Sequence, residues 1–219
     1  MKVLLIDDQP LIRLGLSRLI KSFNNFKVCG EAHDTSSAQK LMTELLPDLT
    51  ILDLLMGGRG GMELVKELKT LHPAGRILVY TSHDENIYAR RVLQAGAHGY
   101  VMKRLEIKQL RQAIEAVTRG EHYVSDVLQK AFIKEMFEGS RKRDKASQPK
   151  LSDRELQILY ILGMGMSSAQ IAKDLSLSIK TIGTYRERIK DKLNLATAAE
   201  LENYAQDFVH AATHDKRAA

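Results

Sequence analysis

Five times in the first 120 residues a short apolar run gives way to residues whose apolar positions recur every three or four. The runs are Val3–Ile6, Lys27–Gly30, Leu49–Leu52, Arg76–Tyr80 and Tyr100–Met102, and each has the length and composition of a buried strand. Between them, Leu11, Leu14, Leu16, Leu19 and Ile20 predict a first helix, and Ala38, Leu41, Met42 and Leu45 a second. Met62, Val65 and Leu68 mark a third, and Ile87, Ala89, Val92 and Leu93 a fourth. Leu105 to Thr118 is the fifth. Punctuation agrees with this reading: Pro10 suits a first helical turn, Asp34 or Thr35 can cap, Pro47-Asp48 interrupts, and Gly96 and Gly120 close helices. Strand and helix alternating five times predict an α/β fold. It is a doubly wound, five-stranded parallel sheet covered by helices on both faces.

The pattern then changes. Ser125–Phe137 reads as a further amphipathic helix with Val127, Leu128, Ala131, Phe132 and Met136. Glu138 to Pro149 is polar, charged and without apolar period, which predicts a linker. After Lys150 the chain is wholly helical. Ser152 with Glu155, Ser167 with Gln170 and Thr197 with Glu200 are three capping boxes, and Ser178 can cap a helix running from Ile179 towards Leu193. The tail from His210 to Ala219 lacks an apolar period and predicts a frayed end. The expected organisation is an α/β domain over 1–122, a helix and polar linker over 123–150, and a small all-α domain over 151–219.

Composition narrows the possibilities. In 219 residues, 44% hydrophobic content is enough for real cores, and 27% charged content argues against a disordered or membrane protein. A net charge of +6 points to a polyanionic partner. Cys29 is the single cysteine, so no intramolecular disulfide forms and a reducing cytosol is the expected compartment. Met1–Ile6 is cut off by Asp7-Asp8, too early for a signal peptide, and no later run is long enough to span a bilayer. The scattered histidines lack zinc-site spacing.

In a doubly wound fold all strand carboxyl ends lie on one edge, where such sheets place their chemistry. Asp7, Asp8, Asp53, Thr81 and Lys103 all fall at those ends. The plain alternative is that Asp7 and Asp8 cap the first helix while Lys103 pairs with one of them. Three carboxylates at one edge would repel one another, and a hard cation such as Mg²⁺ relieves this. A hydroxyl at Thr81 and an ammonium at Lys103 suit phosphate oxygens. The set fits a carboxylate, Asp53, that accepts a phosphoryl group as nucleophile.

Leu4-Leu5-Ile6-Asp7-Asp8-Gln9-Pro10, Leu52-Asp53-Leu54-Leu55-Met56, Tyr80-Thr81-Ser82 and Gly99-Tyr100-Val101-Met102-Lys103 resemble the receiver domain of two-component response regulators, a flavodoxin-like fold. The resemblance implies Asp53 as phosphoacceptor, Mg²⁺ held by Asp7, Asp8, Asp53 and the carbonyl of Leu55, Thr81 as switch hydroxyl, Tyr100 as switch aromatic and Lys103 as phosphate partner. Gly57 stands where the family usually has proline, which implies a looser loop.

In the helical part, the segments joined near Leu177 have helix-turn-helix spacing. Ile182, Ile189 and Leu193 lie on the face expected to bury. Lys180, Thr184, Glu187 and Arg188 point away, with Arg186, Lys190 and Lys192 on the flanks, a basic surface of the kind phosphates require. Leu151 to Leu159, Ile171-Ala172 with Leu175, Ser178 to Ile182 and Lys192-Leu193 resemble the DNA-binding domain of the NarL/FixJ, or LuxR-type, regulators. That resemblance implies Lys180–Lys192 as recognition helix, with DNA contacts from Lys180, Thr181, Gly183, Thr184, Arg186, Glu187, Arg188, Lys190 and Lys192. It also implies a dimer contact on the helix from about Ala198. Gly183 stands where a basic or polar residue is common.

Together these imply a cytoplasmic bacterial transcription regulator. A sensor histidine kinase or a small phosphodonor phosphorylates it, it dimerises when phosphorylated, and it binds DNA with no membrane partner and no multiple-turnover chemistry. The rivals are an orphan regulator working without phosphorylation, a Mg²⁺-dependent phosphohydrolase, and a flavodoxin-like flavin protein. Neither enzyme accounts for the helical domain.

Overall fold

The computed structural model of the chain describes residues 1–56, 59–138, 151–175 and 177–214. The linker expected over 138–149 lies outside the described residues except for Glu138, which is helical. Contacts divide the chain into two compact units, Met1–Phe132 and Ile133–Ala219.

The strands of the first unit are β1 (Lys2–Ile6), β2 (Lys27–Ala32), β3 (Leu49–Leu52), β4 (Leu55–Met56), β5 (Arg59–Gly60), β6 (Arg76–Thr81) and β7 (Gly99–Met102). Its helices are α1 (Pro10–Lys21), α2 (Thr35–Leu45), α3 (Gly61–Leu71), α4 (Glu85–Gln94) and α5 (Ile107–Arg119), and α6 (Asp126–Glu138) follows. Five strands form one sheet in the order β2-β1-β3-β6-β7, and every pairing in it is parallel. The expected doubly wound sheet is what the chain builds. The strand order reverses between β1 and β3, the place where open sheets of this kind bind ligands.

The core has two sides, because successive residues of a strand face opposite ways. On one, Val3, Leu5, Ile51, Leu78 and Val101 pack with Leu16 and Ile20 of α1 and Leu110, Ile114 and Val117 of α5. On the other, a Cβ at Gly30 would press on Leu4 and on Leu41 and Leu45 of α2, and the Thr50 hydroxyl lies 4.0 Å from the Met42 sulfur. The central strand β3 and the edge strand β7 are both buried throughout, which explains why their sequences show no polar alternation.

Three local expectations change. The glycine-rich stretch after Asp53 carries a hairpin, β4 against β5, with Met56 opposite Arg59. The looser loop expected at Gly57 falls outside the described residues. A side chain at Gly61 would meet the Leu54 carbonyl, so only glycine lets α3 begin directly behind that strand end. In α6, Val127 is 62% exposed and Leu128 is buried, while Phe132 lies beneath the Arg90 guanidinium at 4.7 Å.

The second unit holds α7 (Asp153–Gly163), α8 (Ser168–Asp174), α9 (Ile179–Leu193) and α10 (Ala198–His214). Ser152 and Ser167 make the predicted reciprocal caps with Glu155 and Gln170. The third box is only half formed. The Glu200 backbone N–H donates to Thr197 Oγ1, but the Glu200 carboxylate accepts from Ala196, one residue before the cap. Helix α10 continues to His214, past the fraying expected from His210, because Leu201, Ala205 and Val209 are buried along it.

Candidate functional site

Strand register assembles the site. Ile6 is paired with Leu52, so Asp7 and Asp53 emerge side by side from β1 and β3. Leu52 is paired with Val79 and Thr81 with Met102, which brings Thr81 and Lys103 to the same edge. Backbone bonds fix the ends: Asp53 N–H donates to the Ile6 carbonyl at 2.9 Å and Lys103 N–H to the Thr81 carbonyl at 2.7 Å.

The carboxylate oxygens of Asp7, Asp8 and Asp53 lie within 4.8 Å of one another. Asp7 and Asp53 are each about 1% exposed, whereas Asp8 is exposed. The Lys103 ammonium sits 2.7 Å from Asp53 Oδ2 and 2.7 Å from Asp7 Oδ2. Burial works against the Lys103 charge, but the hydrogen bonds to Asp53 and Asp7 outweigh it, and its pKa stands above the ordinary lysine value. The same donor set, carboxylate oxygens crowded at a partly open rim, suits a hard divalent cation. Asp7 is not a helix cap. Gln9 occupies that position, and its N–H donates to Asp7 Oδ1 at 2.8 Å. Lys103 joins two carboxylates, not one. Leu55, two residues after Asp53, begins β4.

Beside the carboxylates runs a buried loop. Thr81 is fully buried, and its Oγ1 accepts from the His83 N–H at 3.5 Å. The Tyr100 hydroxyl, about 1% exposed, donates to the His83 carbonyl at 3.1 Å. Burial holds the His83 imidazole down to about 4 and pushes the Tyr100 phenol well up. The His83 ring lies 4.4 Å from the ring of Tyr88. Asp84 caps α4 through the Asn86 N–H and meets Arg104 at 3.3 Å. Glu85 is 4% exposed and accepts from the Ser125 hydroxyl at 2.8 Å. Sequence reading missed Asp84, Glu85, Arg104 and Ser125 as partners, because pairs separated by 20 or 40 positions leave no local signal.

In the second unit, Lys180, Thr184, Glu187 and Arg188 are exposed along α9, and Thr181 and Gly183 are partly so. Thr184 Oγ1 donates to the Lys180 carbonyl at 3.1 Å. The three flanking cations are engaged inside the unit. Arg186 bonds Ser168 at 3.1 Å and Glu202 at 2.8 Å, with its side chain only 17% exposed. Lys190 reaches Glu187 at 2.8 Å. Lys192 reaches Glu155, itself 4% exposed, at 2.7 Å. Burial works against the Glu155 charge, yet the bonds from Lys192 and Ser152 outweigh it and hold the carboxyl below its ordinary value. Arg186 and Lys192 thereby tie α9 to its neighbours.

Among the described residues no helix is long and apolar enough to cross a membrane. Residues 3–115 match the family model of the response regulator receiver domain, and residues 149–205 match that of the bacterial regulatory proteins of the luxR family. The chain is 33% identical over 200 residues to the response regulator GacA of Pseudomonas aeruginosa, covering 91% of this chain and 92% of that one. It is 34% identical over 204 residues to the response regulator UvrY of Escherichia coli, covering 93% and 92%. Among solved structures, it is similar to RcsB of Salmonella enterica serovar Typhimurium bound to promoter rprA in the presence of phosphomimetic BeF3⁻. The TM-score is 0.63 at 25% identity, over 94% of this chain and 98% of that one.

Proposed function

This chain belongs to the transcriptional response regulators that join a receiver domain to a luxR-type DNA-binding domain, and from that premise we propose that Asp53 is its phosphoacceptor and that phosphorylation governs DNA binding by the helical unit. The observation that carries the reading is the convergence of Asp7, Asp8, Asp53 and Lys103 at one sheet edge, beside the buried Thr81 hydroxyl. An Asp53 carboxylate oxygen attacks the phosphorus of a phosphohistidine on a sensor histidine kinase, or of a small phosphodonor. The new P–O bond forms as the donor's bond breaks and its leaving group takes the electron pair. Lys103, already between Asp53 and Asp7, turns its ammonium to the phosphoryl oxygens, and Thr81 donates its hydroxyl to another. Asp7, Asp8, Asp53 and the Leu55 carbonyl are the residues that would hold Mg²⁺, whose chemistry there is to offset carboxylate and phosphoryl charge. Tyr100 stabilises the loop at His83 as the switch aromatic.

The receiver extends over 1–122, the helix and linker over 123–150, and the DNA-binding domain over 151–219. On α9, Lys180, Thr181, Gly183, Thr184, Glu187 and Arg188 face the DNA, Glu187 accepting from a base edge and the cations meeting phosphates. The phosphorylated chain works as a homodimer in the cytoplasm and turns over no substrate repeatedly. Asp53→Asn is the test, since an amide is a far poorer nucleophile than a carboxylate. Incubated with acetyl phosphate and Mg²⁺, the native chain should gain the mass of one phosphoryl group and the variant none. A stable adduct on the variant would overturn the assignment.

A further inference from the structure

The first turn of α4 and the start of α6 meet through a part-buried polar contact. Ser125 precedes α6, and its Oγ accepts from the Leu128 N–H at 3.2 Å while its hydroxyl donates to Glu85 Oε1 at 2.8 Å. One hydroxyl thus caps α6 and ties it to α4. Glu85 is 4% exposed, and its second oxygen, Oε2, is buried with no hydrogen-bond partner among the described residues. A buried carboxyl satisfied on one side only is a costly arrangement, easily tipped into another. The surrounding contacts hold the tie closed: Val124 and Leu128 are buried, Phe132 lies under Arg90 of α4, and Tyr123 accepts from the Tyr100 N–H at 2.9 Å.

This contact stands two residues from His83, in the loop beside the acidic site. Thr81 Oγ1 accepts from His83 N–H, the His83 carbonyl accepts from Tyr100, and Glu85 opens the helix that follows. Helix α6 in turn spans the division between the two units of the chain.

We propose that the Glu85–Ser125 hydrogen bond is a latch that fastens α6 to α4 while Asp53 is unmodified and opens when Thr81 is drawn towards a phosphoryl group. The latch rests on Asp53 being the phosphoacceptor. When Thr81 Oγ1 turns to the new phosphoryl oxygens, its long contact with His83 is the first to give. The shift passes through Asp84 to Glu85, the half-satisfied carboxyl leaves Ser125, and α6 loses both its tie and the ordering of its cap.

The experiment is amide hydrogen exchange on the full-length chain, read over Asp126–Phe132, before and after phosphorylation with acetyl phosphate and Mg²⁺. In the native chain, exchange there should speed up at least fivefold on phosphorylation. Glu85→Ala, which leaves the Ser125 cap intact, and Ser125→Ala should both exchange fast already when unmodified, and phosphorylation should change them less than twofold. Glu85→Gln keeps a carbonyl to accept from Ser125 and should respond like the native chain, which separates the latch from loss of fold. Intact mass on each sample reports the adduct. No adduct on the native chain overturns the reading of Asp53. An adduct with unchanged α6 exchange, or a native-like response in Glu85→Ala, overturns the latch alone.

Discussion

The carboxylate pocket of the first unit and the charged face of α9 in the second are both gatherings of ionic side chains, and they are put together differently. In the pocket, the groups arrive at the ends of three strands, Asp7 and Asp8 after β1, Asp53 after β3 and Lys103 after β7, and they are one another's partners: Lys103 bonds Asp7 and Asp53 within the same cluster. On α9, the groups lie on one helix, and apart from the Lys190–Glu187 pair the partners named above come from other helices. Arg186 answers to α8 and α10, and Lys192 to Glu155 on α7. A charge set defined by backbone register keeps its function when the fold forms. A charge set defined by helical spacing is divided afterwards, between residues left to face outward and residues used to hold the unit together.

The sharpest way to test that division is at two helical glycines of the second unit. A methyl group at Gly163 would strike the Ala205 carbonyl, because α7 and α10 cross there. Gly163→Ala should destabilise the helical unit by about 3 kcal/mol, the upper end for overpacking because the obstacle is backbone. Thermal melting of the full chain should show the second unit's transition move down while the first unit's stays.

In the first unit the corresponding weak point is protonation. His83 is held near 4, against an ordinary 6.5, by burial. The unfolded chain takes up this proton as pH falls through 6.5 and the fold refuses it. The stabilising share is therefore complete above about 6.5 and is lost progressively towards 4. Glu85, whose carboxyl burial pushes up, takes a proton more readily when folded and offsets part of that loss. The His83 share of the change from neutral pH to 4 should be about 3 kcal/mol. His83→Phe keeps a ring against Tyr88 and should flatten the slope of denaturant stability with pH. An unaltered slope would remove His83 from the account.

A smaller effect is expected at Lys192. If it served DNA phosphates alone, its removal would leave stability untouched. Because Glu155 is buried behind it, Lys192→Ala should cost about 1–2 kcal/mol, less than a fully buried pair since the lysine is 42% exposed. An unchanged denaturation midpoint would show that Lys192 does not hold the unit together. The smallest effect belongs to Gly183, where an added Cβ meets nothing within 4 Å. Gly183→Ala should raise stability by up to about 1 kcal/mol, the ordinary helix preference for alanine. Calorimetry on the two glycine variants side by side would show opposite signs for the same substitution in the same unit.

What the sequence determined by itself was periodic or terminal. Apolar runs at Val3, Leu49 and Tyr100 specified buried parallel strands, because a strand covered on both faces has no reason to alternate. The doubly wound topology then carried Asp7, Asp53, Thr81 and Lys103 to one edge, since parallel strands end together. Ser152, Ser167 and Ser178 marked helix starts because capping is a contact over three residues. Tertiary structure alone decided the rest. It set Lys103 between two carboxylates, closed β4 on β5, engaged Arg186 and Lys192, kept α10 helical to His214, and joined Glu85 to Ser125 across 40 positions. Those outcomes depend on which side chains meet when distant elements pack, and a pairing made through space leaves no period in the chain to read.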